Sequence, residues 1–154
     1  APIGIYHGGP WRFTVDSSGR VLQPYQPAFT AYSNVYQIAP NQTMPYNTAV
    51  LNRGGHFNAS TYRFTAPVTG VYMFNVYDIG QSSGTSRFAL YKNGVSTEEI
   101  TTYQLRAANT ANYASATACW MVQASAGDYF SVYLYDTSVH GSVEYSWFGG
   151  YLIG

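Results

Sequence analysis

The sequence predicts an all-β, antiparallel sandwich. Three observations carry this reading: apolar residues alternate with period two over several runs, strand-favouring Tyr, Phe, Val and Thr are abundant, and turn residues fall between the runs. The run Val71-Tyr72-Met73-Phe74-Asn75-Val76-Tyr77 puts Tyr72, Phe74 and Val76 on one face and Val71 and Met73 on the other. In Tyr129–Tyr135, Phe130, Val132 and Leu134 share a face, with Tyr129, Tyr133 and Tyr135 opposite. Trp120, Val122 and Ala124 alternate with Cys119, Met121 and Gln123. Turns are expected at Asp16-Ser17-Ser18-Gly19, Arg53-Gly54-Gly55, Lys92-Asn93-Gly94 and Ala126-Gly127-Asp128. Asn93-Gly94 suits a hairpin between Phe88–Tyr91 and Val95–Thr97, because both residues accept positive φ. Leu105–Ala118 shows no apolar helical face and reads as a loop followed by a strand.

The chain divides in two. Residues 1–27 hold four prolines and one short hairpin candidate, Arg12–Val15 against Arg20–Leu22, and read as an extended N-terminal arm. Residues 28–154 carry the dense strand pattern. Ala1-Pro2-Ile3-Gly4 lacks the basic and apolar regions of a signal peptide and reads as a processed end or a boundary.

Composition narrows the function classes. Seven Lys plus Arg balance seven Asp plus Glu in 154 residues, and the charged share is 9%. Those charges are sparse for a surface of roughly 7,700 Å², so the chain is expected to hide part of its surface in an oligomer or a larger assembly. No basic cluster is present to neutralise phosphates, which excludes nucleic acid as a partner. No apolar run approaches the ~20 residues of a membrane span, which excludes helical membrane insertion. Cys119 is the one cysteine, so no disulfide forms within the chain.

The residue pattern does not suggest a catalytic or metal-binding constellation. His7, His56 and His140 lie in separate loop-like contexts without metal-ligand spacing. The acids are scattered, and the adjacent Glu98 and Glu99 would point to opposite faces of a strand. Asp128 reads as support for the turn after Gly127. We read no nucleophile elbow and no Walker-type loop, and Cys119 falls on a strand without a neighbouring base. The chain is therefore expected to bind rather than catalyse, without a cofactor. The polar loops 80–85, 106–113 and 136–144 are the candidate ligand loops, with Gln81, Ser83, Asn109, Asn112 and His140 as the residues of interest.

Residues 28–154 resemble a C1q domain, the jelly roll shared with the TNF superfamily. The resemblance is carried by Phe57, Tyr62 and Phe64, followed by Gly70-Val71-Tyr72-Met73-Phe74-Asn75-Val76-Tyr77. It continues through Val122-Gln123-Ala124-Ser125-Ala126-Gly127-Asp128 and Tyr145-Ser146-Trp147-Phe148-Gly149-Gly150-Tyr151-Leu152-Ile153. Ala28-Phe29-Thr30-Ala31 fits the first strand, and Ala66 departs from relatives that carry Cys there. The resemblance implies a ten-stranded, homotrimeric jelly roll. The outward rings agree with a trimer, since each buries roughly 150–250 Å² when covered and monomers avoid large apolar patches. The expected seam is Val71, Met73, Tyr133, Tyr135, Trp147 and Tyr151. Some C1q-like relatives bind calcium; the weak candidates here are Asp136 and Glu144, too few oxygen ligands on their own.

The leader, Phe13–Val21 and then Pro24-Tyr25-Gln26-Pro27-Ala28-Phe29, is similar to lead-ins of bacteriophage tail-fibre and other virion proteins. That likeness implies a virion location: a trimeric head serving capsid decoration or host-surface glycan attachment, with the arm docked on other virion proteins. The alternative is a secreted C1q-domain recognition protein, a lectin-like immune molecule.

Overall fold

The computed structural model describes residues 3–6, 8–9, 11–81, 83–94 and 113–154, together with the backbone of 104–109. Two antiparallel sheets face each other, and a small third sheet precedes them.

The small sheet is a meander of β1 (Ile3–Tyr6), β2 (Trp11–Val15) and β3 (Val21–Leu22). Thr14 and Val15 of β2 pair with Leu22 and Val21, which forms the hairpin expected across Asp16–Gly19. Asp16 shapes that turn: its Oδ1 accepts the amides of Ser18 and Arg20, and its Oδ2 accepts Arg20 Nε at 2.7 Å. The strand β1 adds to this hairpin through Ile3↔Val15 and Ile5↔Phe13, a pairing the sequence pattern does not reveal.

One sheet of the sandwich places β10 (Gly70–Gly80) between β13 (Ser115–Ala124) and β16 (Ser146–Leu152). Beyond β16 come β4 (Ala28–Tyr32) and β7 (Thr48–Arg53). The short strands β15 (Val139–His140) and β5 (Gln37–Ile38) extend it at the far end of β10. The first and last strands of this body are neighbours, with Tyr151 opposite Ala28. The other sheet runs β12 (Gln104–Asn109), β11 (Gly84–Lys92), β14 (Tyr129–Leu134), β9 (Arg63–Thr65) and β8 (Phe57–Asn58), with β6 (Gln42–Thr43) also on β14. Two-residue strands such as β5, β6, β8 and β15 account for a larger number of segments than the ten expected.

The segment 105–118 is corrected by the structure. Its first part is strand rather than loop, because residues 104–109 pair with β11 in a ladder from Ala89↔Gln104 to Gly84↔Asn109, and β13 follows from Ser115. Arg106-Ala107-Ala108-Asn109 has weak strand propensity; the partner strand sets its conformation. Asn93 (φ 55°) and Gly94 (φ 77°) take the positive φ expected of their turn, while the return arm Val95–Thr97 and the pair Glu98–Glu99 lie outside the described residues, as does His7.

The core follows the alternation. Tyr72, Phe74 and Val76 of β10 and Phe130, Val132 and Leu134 of β14 are all fully buried. Phe74 is the hub. Its ring centroid lies 4.7 Å from Phe130 in the facing sheet, 5.7 Å from Phe64 and 6.0 Å from Phe148. Phe29 stacks on Phe57 and Phe64 at 4.8 Å each and meets Phe148 edge-on at 4.9 Å. Such offset and edge contacts satisfy the ring quadrupoles while burying large apolar area. Phe74→Ala is expected to cost about 3–5 kcal/mol, read as a lower midpoint in urea unfolding with an unchanged slope.

Candidate functional site

Alternation separates inside from outside but not one sheet from the other, and the six expected seam residues divide between the two sheets. Val71, Met73, Trp147 and Tyr151 share the outer face of the sheet that contains β10 and β16. Tyr133 and Tyr135 follow from β14, on the opposite sheet, and face away from those four. The structure adds Met121, Tyr77 and Tyr32 to the first group. Cross-strand rows run Met121–Met73–Tyr151 and Thr117–Tyr77–Trp147–Tyr32. Met121 is 62% and Tyr151 44% exposed, Tyr151 Oη meets Met73 Sδ at 3.3 Å, and Trp147 packs 5.5 Å from Tyr32. Cys119 is exposed on the same face, opposite Asn75.

The tyrosines of the other sheet form a cluster of their own. Tyr91 and Tyr133 stack at 4.9 Å and 4° between ring planes, and Tyr133 meets Tyr135 at 4.8 Å. The hydroxyls of Tyr91 and Tyr135 lie 2.5 Å apart. Burial, and then the bond to Tyr135, pushes the Tyr91 phenol well above its ordinary value. Arg87 lies 4.1 Å from the Tyr135 ring centroid, with its Nε 3.2 Å from Asp136 Oδ2. Ala89 and Ser131, the small residues on the same outer face, are buried. The outward tyrosines are thus covered largely by one another.

The metal candidates do not form a set. Asp136 is engaged by Arg87, and Glu144 is exposed in the turn that Ser142 Oγ caps through the Glu144 amide. Among the described residues no group of three or more His, Cys, Asp or Glu side chains could hold a metal ion. Asp128 does support its turn: it accepts from Lys92 at 2.8 Å, Asn93 at 2.9 Å and the Ser125 amide at 2.8 Å. Slight burial opposes ionisation there, but these donors prevail and hold the carboxyl down at about 2.

Of the expected ligand-loop residues, Ser83 is exposed and Asn109 ends β12 opposite Gly84, while Asn112 lies outside the described residues. His140 is a correction. It is only 3% exposed, because it lies on a strand and pairs with Ile79. Three tyrosines surround it: Tyr113 stacks parallel at 4.9 Å, Tyr36 meets it edge-on at 5.6 Å, and Tyr145 is tilted at 5.7 Å. Neither imidazole nitrogen has a hydrogen-bond partner, and Gln81 Oε1, one residue past the end of β10, is likewise buried and unpaired.

The letters Gly80-Gln81-Ser82-Ser83-Gly84 do spell Gly-x-Ser-x-Gly. A nucleophile elbow needs a strand-to-helix turn, whereas here the flanking elements are the strands β10 and β11. The buried acid Asp78 is engaged by two hydroxyls. Tyr46 Oη and Ser146 Oγ each donate to it at 2.7 Å, and all three side chains are inaccessible. Nothing in the sequence marks this trio, whose members are separated by 32 and 68 residues.

The C1q domain profile matches residues 28–153. The chain belongs to the C1q family. In sequence it is 35% identical over 75 residues to rat complement C1q tumor necrosis factor-related protein 5, an alignment covering 47% of this chain and 30% of that protein. It is 31% identical over 93 residues to mouse complement C1q tumor necrosis factor-related protein 2, covering 58% and 29%. The chain thus aligns with less than a third of the length of these curated relatives. In structure, the globular domain of zebrafish complement 1qA superposes with a TM-score of 0.66 at 18% identity, over 84% of this chain and 98% of that one. Murine APRIL gives 0.66 at 14% identity over 83% and 99%, and Eiger TNF from S. frugiperda 0.63 at 16% over 84% and 93%. These likenesses show the all-β C1q/TNF fold.

Asp78 provides a pH test of this C1q domain. Burial raises its carboxyl from the ordinary 3.8 to about 8, against the hydrogen bonds from Ser146 and Tyr46. The folded state therefore holds this proton more tightly than the unfolded chain, and the group's contribution to stability falls as pH rises from about 4 to 8. Urea midpoints measured at pH 5 and pH 8 are expected to fall with pH in the wild type. In Asp78→Asn that decline should be much smaller.

Proposed function

We propose that this C1q domain is a non-catalytic, extracellular recognition module that works as a homotrimer. The observation that carries the proposal is the open outer face of the β10 sheet. It gathers Val71, Met73, Tyr77, Met121, Trp147 and Tyr151 in a chain whose charged share is 9%. At about 25 cal/mol per Å², covering such rings and thioethers yields several kcal/mol per subunit before association entropy is deducted. The family resemblance implies the same threefold assembly. Complement-related names among the relatives support the secreted reading over the virion reading.

A second reading has the same trimer capping a phage fibre or capsid, with surface glycans as ligand. It rests on the leader. The small sheet leaves Ile3 (78%), Ile5 (64%) and Val21 (57%) exposed, as an element docked on a larger body would. Finding the protein in a purified secretion or in a purified virion decides between the two.

The trimer is tested by charge insertion on each outer face. Native mass spectrometry of Met73→Glu or Tyr151→Glu is expected to show monomer, because a closed seam would bury an unpaired carboxylate at a cost of several kcal/mol. Tyr133→Lys, on the other sheet, is expected to leave the trimer intact. A wild-type chain that stays monomeric at micromolar concentration would overturn the assignment.

A further inference from the structure

We propose that the corner around His140 is a binding site for a neutral sugar, with Tyr113 as its lid. The inference rests on the recognition reading and names the ligand class and the site. Among the described residues, four buried side-chain polar atoms lack a hydrogen-bond partner: both nitrogens of His140, Gln81 Oε1 and Arg87 Nε. Three of the four belong to residues that the β10–β15 ladder brings to this corner, and the fourth is Arg87 Nε on the other sheet, beside the Asp136 carboxylate. A buried polar atom without a partner costs about 1–3 kcal/mol, so three in one place call for a ligand or ordered water to complete them.

The ladder brings the polar groups together. Ile79 pairs with His140, Gly80 pairs with Val139, and the Gln81 amide donates to the Ser138 carbonyl at 3.0 Å. Val139 points into the core, so His140 takes the outer side of the sheet. Around it stand Tyr36, 70% exposed, and Tyr113, 59% exposed, with Tyr145 as the third wall. Tyr113 lies flat on the imidazole, 2° from parallel, while its backbone takes a φ of 66° that side chains rarely adopt. Two backbone hydrogen bonds at 2.9 Å tie this turn to Gly80: the Tyr113 amide donates to the Gly80 carbonyl, and the Gly80 amide to the Ala114 carbonyl. Strain of this kind persists where the surroundings enforce it, and it gathers at ligand clamps.

The chemistry selects the ligand. A neutral imidazole offers one donor and one acceptor, and Gln81 Oε1 offers another acceptor. A pair of hydroxyls answers all three, since each hydroxyl both donates and accepts. The tyrosine faces suit the C–H face of a pyranose. Among the described segments lining the corner, 33–38, 79–81, 113–114 and 138–145, only Glu144 carries a formal charge, which favours a neutral ligand over an anionic one.

The test is an NMR titration of the full, isotope-labelled chain with glucose, galactose, mannose and N-acetylglucosamine in turn, following imidazole and glutamine side-chain signals. At least one sugar is expected to give saturable shifts at His140 and Gln81. His140→Phe keeps the ring within its tyrosine cage and removes both nitrogens; it is expected to weaken binding about tenfold or more. A merely structural His140 would tolerate Phe with no change in binding. Gln81→Ala, read the same way, serves if that variant misfolds. No shift with any of the four sugars overturns the proposal, as do sugar shifts that survive both variants. Shifts produced by tetramethylammonium chloride and by no sugar overturn it in favour of a cation cage. The trimer, read by mass, stands or falls separately.

Discussion

The register of β10 between β13 and β16 is the constraint on which the remaining geometry depends. A slip of one residue would exchange Tyr72, Phe74, Val76 and Asp78 for Val71, Met73, Asn75 and Tyr77 between core and outer face. The slip is opposed from both flanks: paired residues run from Gly70↔Ala124 to Ile79↔Ser115 on one side and from Tyr72↔Leu152 to Asp78↔Ser146 on the other. The buried trio adds a polar lock to this apolar one. Asp78 finds its two hydroxyl donors only when Ser146 lies beside it and Tyr46 crosses above. A slipped strand would leave those hydroxyls unpaired in the core, at a cost comparable to a lost hydrogen bond each.

Much of this was legible in the residues. Period two sorted β10, β13, β14 and β16 into inward and outward sets, and each set is where the pleat puts it. The family motif around Gly70–Tyr77 marks the strand that proves central. Which sheet a strand joins was not legible, because alternation looks the same in either. Tyr133 and Met73 therefore read alike although they face opposite directions. Nor could β12 be read, since its Ala-Ala-Asn stretch takes its extended form from pairing with β11. His140 looked like a loop residue because a two-residue strand leaves no periodic trace. Its tyrosine cover comes from positions 36, 113 and 145, which no local pattern links.

The two outer faces use aromatic residues differently. On the β14 sheet the tyrosines engage one another, Arg87 and buried small residues, so that face is largely self-contained. On the β10 sheet, thioethers and rings stand in rows with less mutual cover, and Met121 and Tyr151 remain substantially open. One face is thus largely closed by its own side chains, and the other is available for contact. The difference lies in how far neighbouring side chains cover one another, since polar tips find partners on both faces.

The paired glycines of β16 have a consequence for how this domain can diversify. A methyl group at Gly150 would sit 2.5 Å from Phe74 Cδ1 and 2.9 Å from the Met73 carbonyl; at Gly149 it would sit 3.1 Å from Asn75 Oδ1 and 3.2 Å from the Phe29 carbonyl. The backbone occupies one side of each clash, so little can give way. Descendants of this gene are free to redraw loops and rims, but Gly150 is closed to any side chain by geometry, and at Gly149 a methyl group fits only if its neighbours give way slightly. Immobile positions of this kind make dependable landmarks for aligning relatives too divergent to match elsewhere.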